Sequence, residues 1–216
     1  MSVEAYEKRL RKNYTELLRE ASQFYMSRGD VYTTLRKLTQ RLEQEQIPYA
    51  LIGGMALAAH GFVRMTQDVD ILLTAEGLAA FLERCVGRGY APAFPGAQKS
   101  FRDTETQVRI EAITTGEFPG DGKPKPVAFP DPTVASIERD GLRVVSIEKL
   151  IELKLASGMS APHRLRDLAD AQDTITTLDL TDDFADRLDP SVRALYHQLW
   201  HAAQQSRAEA EKPEGE

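Results

Sequence analysis

Asp68 and Asp70 lie one residue apart in the stretch RMTQDVDILL, and they are the first residues in the chain that suggest chemistry. Val69, Ile71, Leu72 and Leu73 give the stretch the apolar, β-branched character of a core strand. Side chains alternate faces along a strand, so the two carboxylates point the same way. Like charges held that close make each other's ionisation costly. Water or a cation must sit between them. A third carboxylate follows in TQVRIEAIT, where Gln107, Arg109 and Glu111 share one face and Val108, Ile110 and Ala112 share the other. Asp68, Asp70 and Glu111 on neighbouring strands would form a hard oxygen set of the kind Mg2+ prefers, completed by water and phosphate. A solvent-facing acidic strand is the alternative.

Two further features bear on this chemistry. Gly53-Gly54 follows the apolar run YALI and leads into an Ala-rich segment. Glycines let a backbone approach a phosphate, and a helix start supplies free N–H groups. A tight strand-to-helix turn has the same composition, and the spacing matches neither the dinucleotide nor the Walker A pattern. Lys154 lies within the apolar stripe Ile147, Leu150, Ile151, Leu153 and Leu155, with Glu148, Lys149 and Glu152 opposite. Such a lysine either snorkels to water or reaches an anion in a cleft. Its ammonium is costly to desolvate, so Lys154→Met is expected to be neutral or stabilising. Arg164 and Asp167 flank the next stripe, Leu165, Leu168, Ala171 and Ile175, as an ion pair or as a solvated edge.

The elements that must position these groups follow from composition and punctuation. Residues 3–45 contain no proline and read as one or two helices with a break near Gly29-Asp30, and Pro48 ends them. A strand at 49–52, a helix at 55–60 capped by Gly61, the Asp-bearing strand and a helix at about 76–87 come next. Residues 99–102 and 108–114 form a hairpin pair. Residues 115–133 hold five of the 11 prolines, which makes a long irregular arm that leaves the sheet soon after Glu111. A strand at 142–145 precedes helices at about 147–157, 164–178 and 190–205. The expected organisation is an N-terminal helical segment (1–45), a catalytic core (46–145), a C-terminal helical part (146–205) and a disordered tail (206–216). The fold class is α+β, a mixed sheet flanked by helices.

With 216 residues, 28% of them charged, the chain fits an ordinary globular protein. A formal charge of −6 argues against a non-specific nucleic-acid coat but leaves room for a local basic patch. Cys85 is the single cysteine, so no internal disulfide forms, and a reducing, cytoplasmic setting is expected. The start MSVEAYEKRLRKNY has no apolar signal-peptide region, and the uncharged run 47–63 is broken by Gly53-Gly54 and His60, so no membrane span is expected.

Gly53-Gly54, the segment Arg64-Met65-Thr66-Gln67-Asp68-Val69-Asp70 and Glu111 on a later strand together resemble the nucleotidyltransferase superfamily with the DNA polymerase β-like fold. Lys154 followed by HRLRDLAD at 163–170 is similar to the AbiEii toxin branch of abortive-infection systems. The resemblance covers roughly residues 45–178. Gly54-Met55 stands where Gly-Ser is usual, and Glu111 where Asp is usual.

The resemblance implies a Mg2+-dependent transfer of NMP from an NTP to a hydroxyl acceptor. Asp68 and Asp70 would hold the ion that carries the triphosphate. Glu111 would complete a second ion site and help deprotonate the acceptor. Gly53 and Gly54 would bind the β- and γ-phosphates, and Lys154, supported by Arg64, would neutralise charge on pyrophosphate. The acceptor stays open among an RNA end such as that of tRNA, a small antibiotic-like alcohol and a protein hydroxyl. Arg9, Arg11, Lys12, Lys123 and Lys125 would grip an RNA acceptor, and a toxin of this type would have an antitoxin partner. The alternative is a catalytically weak or inactive nucleotide- or partner-binding module of the same fold.

Overall fold

Val69, Ile71, Leu72 and Leu73 are fully buried, and the strand that carries them, β2 (Asp68–Leu73), is the middle strand of a seven-stranded sheet. The structure, a computed structural model, describes residues 5–25 and 27–210. The other strands are β1 (Tyr49–Ile52), β3 (Tyr90–Pro92), β4 (Ser100–Asp103), β5 (Arg109–Thr114), β6 (Ser136–Arg139) and β7 (Leu142–Val145). Their order is β3-β4-β5-β2-β1-β7-β6. The pairs β2–β5 and β1–β7 are parallel and the remaining pairs antiparallel, so the sheet is mixed, as the α+β expectation required. β3 and β6, the two edge strands, are short additions that the sequence pattern does not single out.

The sheet belongs to the first of two compact units, which comprises the described residues up to Ala59 together with 63–115 and 130–145. Helices α1 (Tyr6–Lys12), α2 (Tyr14–Tyr25) and α3 (Asp30–Gln44) divide the N-terminal stretch in three, and they belong with the sheet rather than standing apart. In α3 the buried residues Val31, Leu35, Leu38 and Leu42 recur at helical spacing. α1 is tied to β4 where Glu7 Oε2 meets Arg102 Nη1 at 3.0 Å. The turn after β4 is anchored by buried Asp103, whose Oδ1 accepts from Glu105 N (2.8 Å) and Lys37 Nζ (3.0 Å). That anchor fixes the β4–β5 hairpin and sets Ser100 opposite Glu111. Helices α4 (Gly53–Ala59), α5 (Ala75–Arg84) and the single turn α6 (Pro132–Ala135) complete this unit. Thr74 caps α5 by accepting from Gly77 N at 3.0 Å.

The second unit holds residues 60–62, the proline-rich arm 116–129 and everything described from Ser146 onward. Its helices are α7 (Ile147–Ser160), α8 (Leu165–Thr177) and α9 (Pro190–Ala210). The arm is not loose. Gly116 N and Phe129 N donate to Phe129 O and Glu117 O, both at 2.8 Å, and close its base. Lys125 Nζ reaches Ser160 Oγ on α7 at 2.9 Å and Asp121 Oδ1 at 2.5 Å. Helix α9 runs to Ala210, so the tail expected from 206 starts as helix, and residues 211–216 lie outside the described residues. Two stripe expectations also change. Leu165 is 68% exposed, whereas Glu152 is buried and accepts from Asp189 N at 2.8 Å, which joins α7 to the start of α9. Among the described residues no helix is long and apolar enough to cross a membrane.

α7 and α8 meet at Gly158, where a Cβ would overlap the Leu168 side chain. Gly158→Ala should therefore lower the melting temperature. Overpacking costs about 1–3 kcal/mol, against a helix-propensity gain of about 1 kcal/mol for leaving glycine. A thermal melt that rises would contradict this packing.

Candidate active site

The core dictates where the carboxylates go. With Val69 and Ile71 buried on one face of β2, Asp68 and Asp70 emerge half-buried on the other. The parallel register sets Asp68 beside Arg109 and Asp70 beside Glu111, and the antiparallel register sets Ile52 on the other side of Asp70. Ser100 and Arg102 on β4 extend the same face. The result is one polar sheet face carrying Asp68, Asp70, Glu111, Arg109, Arg102 and Ser100.

Each aspartate is positioned by a neighbour that lacks bulk. Gly53 opens α4 with φ +66°, a left-handed conformation in which other residues are strained. A Cβ there would collide with Asp70 Oδ2, so the absent side chain is what lets the Asp70 carboxylate lie against the β1–α4 turn. Gly54 plays the same part for Thr66, since a Cβ on Gly54 would come within 3.0 Å of Thr66 Cβ. Thr66 Oγ1 in turn donates to Asp68 Oδ1 at 2.6 Å. The two glycines thus act on the two aspartates, one directly and one through a threonine. Thr66 is absent from the sequence-derived site. Its signal is the two-residue spacing from Asp68, which puts both side chains on one side of an extended chain.

Glu111 lies on the expected face, but its carboxylate is engaged along the strand. Ser100 Oγ donates to Glu111 Oε1 at 2.9 Å, the Arg109 guanidinium contacts the same oxygen, and Arg109 Nε donates to Ser100 Oγ at 3.3 Å. Among the described residues no three His, Cys, Asp or Glu side chains are gathered closely enough to hold an ion. The donor chemistry of Asp68 and Asp70 suits a hard cation, and the cradle at Gly53 fixes one of them. Glu111, as placed, is not gathered with them. Arg64 is half-buried in the segment leading into β2.

Lys154 lies in the helical unit. Its Nζ is 2.6 Å from Asp170 Oδ2 and 3.1 Å from Asp167 Oδ1, and Asp167 Oδ2 accepts from Ser157 Oγ at 2.7 Å. Lys154 and Asp170 are buried. Burial alone would raise the Asp167 carboxyl, but the Lys154 charge and the Ser157 hydrogen bond outweigh it and hold it below its ordinary value. Arg164 is a looser neighbour of Asp167, at 3.9 Å. Of the basic residues assigned to an acceptor, Arg9 pairs with Glu16 and Asp30, and Lys125 is turned into the arm. The side chains of Arg11 and Lys12 lie outside the described residues.

No family model matches the chain. No curated protein matches it either. Among solved structures, the solution structure of the antibiotic-resistance factor ANT(2'')-Ia superposes with a TM-score of 0.52 at 14% identity, covering 82% of this chain and 96% of that one. The fold is that of the nucleotidyltransferases. A crystal structure of ANT(2'')-Ia with adenylyl-2''-tobramycin gives 0.49 at 14% identity, covering 81% of this chain and 97% of that one. A Thermotoga maritima protein classed as a nucleotidyltransferase gives 0.47 at 20% identity over 63% of this chain and 89% of its own. At these identities the likeness fixes the nucleotidyltransferase fold and no more.

The surroundings of Lys154 reverse the expectation for its substitution. Removing the ammonium takes from Asp167 and Asp170 the cation they share, and breaking a buried pair in this way costs about 3–5 kcal/mol. Lys154→Met should therefore melt well below the parent at neutral pH. Asp167 has its folded value depressed below 3.8, so its contribution is present above pH 3.8 and fades as pH falls through the lower folded value. The gap between parent and Lys154→Met should shrink in that acid range. A gap that stays constant with pH would contradict the ion-pair account.

Proposed function

We propose that the protein is a Mg2+-dependent nucleotidyltransferase that moves an NMP from an NTP to a hydroxyl acceptor. The observation that carries this is the convergence of Asp68 and Asp70 on one face at the β1–α4 turn, with Gly53 kept free of a side chain so that Asp70 fits against it. A divalent ion bound there would supply charge neutralisation for the triphosphate and polarise the transferring phosphorus. The chain's own residues do the rest. Asp68 is oriented by Thr66 and Asp70 by the Gly53 cradle, so both donors are preorganised before the nucleotide arrives. Gly53 lies against Asp70 and Gly54 against Thr66, and the peptide groups of this turn are assigned to the β- and γ-phosphates. Glu111, one strand away, is the residue to accept the acceptor's hydroxyl proton, and Arg64 is assigned to charge on pyrophosphate, a role Lys154 does not share because Asp167 and Asp170 already hold its ammonium.

The second reading, a weakly active or inactive binding module of this fold, is favoured by one observation: Glu111 is already satisfied by Ser100 and Arg109. The acceptor class is assigned to an RNA end, a small alcohol or a protein hydroxyl, and the toxin role with an antitoxin partner belongs to this proposal.

The test is NTP-dependent pyrophosphate release with Mg2+, run alone, with total RNA, and with an aminoglycoside. Asp68→Asn should reduce release on the order of 10²-fold or more, as expected for losing a preorganised charge at the reacting centre. It should also weaken Mg2+·NTP binding by calorimetry while the protein melts no lower than the parent, because one of two repelling charges is gone. Unchanged nucleotide affinity in a variant that melts like the parent would remove the metal assignment. Nucleotide binding with no release under any of the three conditions would favour the binding module.

A further inference from the structure

We propose that Arg109 is a guard residue that holds Glu111 out of the carboxylate set and occupies, with its own positive charge, the role a second cation would fill. This inference rests on the nucleotidyl-transfer proposal. Three side chains form a closed triangle on the sheet face. Ser100 Oγ donates to Glu111 Oε1 at 2.9 Å, Arg109 Nε donates to Ser100 Oγ at 3.3 Å, and the Arg109 guanidinium contacts Glu111 Oε1. The strand register makes this arrangement a choice rather than a necessity. Arg109 is the direct cross-strand neighbour of Asp68, and Glu111 is the neighbour of Asp70. An arginine at that position has a carboxylate on either side, and here it contacts the one on its own strand.

The electrostatics fit a guard better than a structural brace. The Arg109 side chain is 44% exposed and Glu111 24%, so water screens the pair and breaking it is easy. Ser100, in contrast, is buried and neutral, so its hydrogen bond to Glu111 Oε1 brings no charge that would oppose a cation. A guanidinium beside Asp68 and Glu111 also repels an incoming cation. The chain should therefore take up one ion through Asp68 and Asp70, and a second only when Arg109 moves off Glu111.

Manganese titration followed by electron paramagnetic resonance, with a non-hydrolysable ATP analogue present, counts ions directly and does not depend on turnover. The parent should take up a single ion per chain in its tight phase. Arg109→Gln should take up a second, at least about tenfold tighter than in the parent, as removal of an adjacent like charge requires. Arg109→Lys, which keeps the charge, should behave as the parent. Arg109→Gln/Glu111→Gln should lose the second ion again, and melting curves should show all variants folded, since Arg109 is largely at the surface. Equal stoichiometry and affinity in parent and Arg109→Gln, or two tight ions in the parent, would overturn the guard while leaving the proposed function standing. No ion in the parent would overturn both.

Discussion

The placing of Asp68 and Asp70 on one face of β2 is the constraint on which the site in the first unit depends. Two carboxylates on one face of a strand are unfavourable unless something holds them there. What holds them is the burial of Val69, Ile71, Leu72 and Leu73 on the middle strand of the sheet. A one-residue slip in register would turn both aspartates toward the core and Val69, Ile71 and Leu73 away from it, so the hydrophobic core fixes the face on which the carboxylates stand. β1 and β5 lock the register from both sides, and each brings one functional component. β1 leads directly into Gly53 and Gly54, and β5 carries Arg109 and Glu111.

The helical unit solves a related problem in the opposite sense. There a lysine sits inside an apolar stripe, and two aspartates from α8 come to it. Neither the lysine nor the aspartates would be stable in that position alone. Gly158 lets Leu168 lie against α7, and the same close approach of the two helices brings Asp167 and Asp170 to Lys154.

Much of this was legible in the sequence, and the parts that were not have physical reasons. The mixed sheet, the β2 and β5 faces and the Gly-Gly turn follow from period-two alternation and from glycine placement, which are local signals. The arm's length was visible, but its docking through Lys125 and Ser160 depends on residues thirty-five apart in the chain. Glu152 looked like a surface residue because helical periodicity records one face only, and the backbone of Asp189 that buries it comes from a distant turn. Arg109 was visible on the correct face, yet its choice of Glu111 over Asp68 is a side-chain decision that no pattern encodes. Thr66 carries no signal of ligand binding, because it acts through Asp68 rather than on a ligand.

The central claim is that Asp68 and Asp70 are held together for a cation. The most direct measurement is the melting temperature as a function of Mg2+ at a fixed concentration of a non-hydrolysable ATP analogue, compared between the parent and Asp68→Asn/Asp70→Asn. The parent should gain stability with the logarithm of Mg2+ above its dissociation constant, by about 2.7 kcal/mol at a hundredfold excess. The double variant should remain folded without the ion and show no gain. Parallel curves for the two proteins would contradict the account.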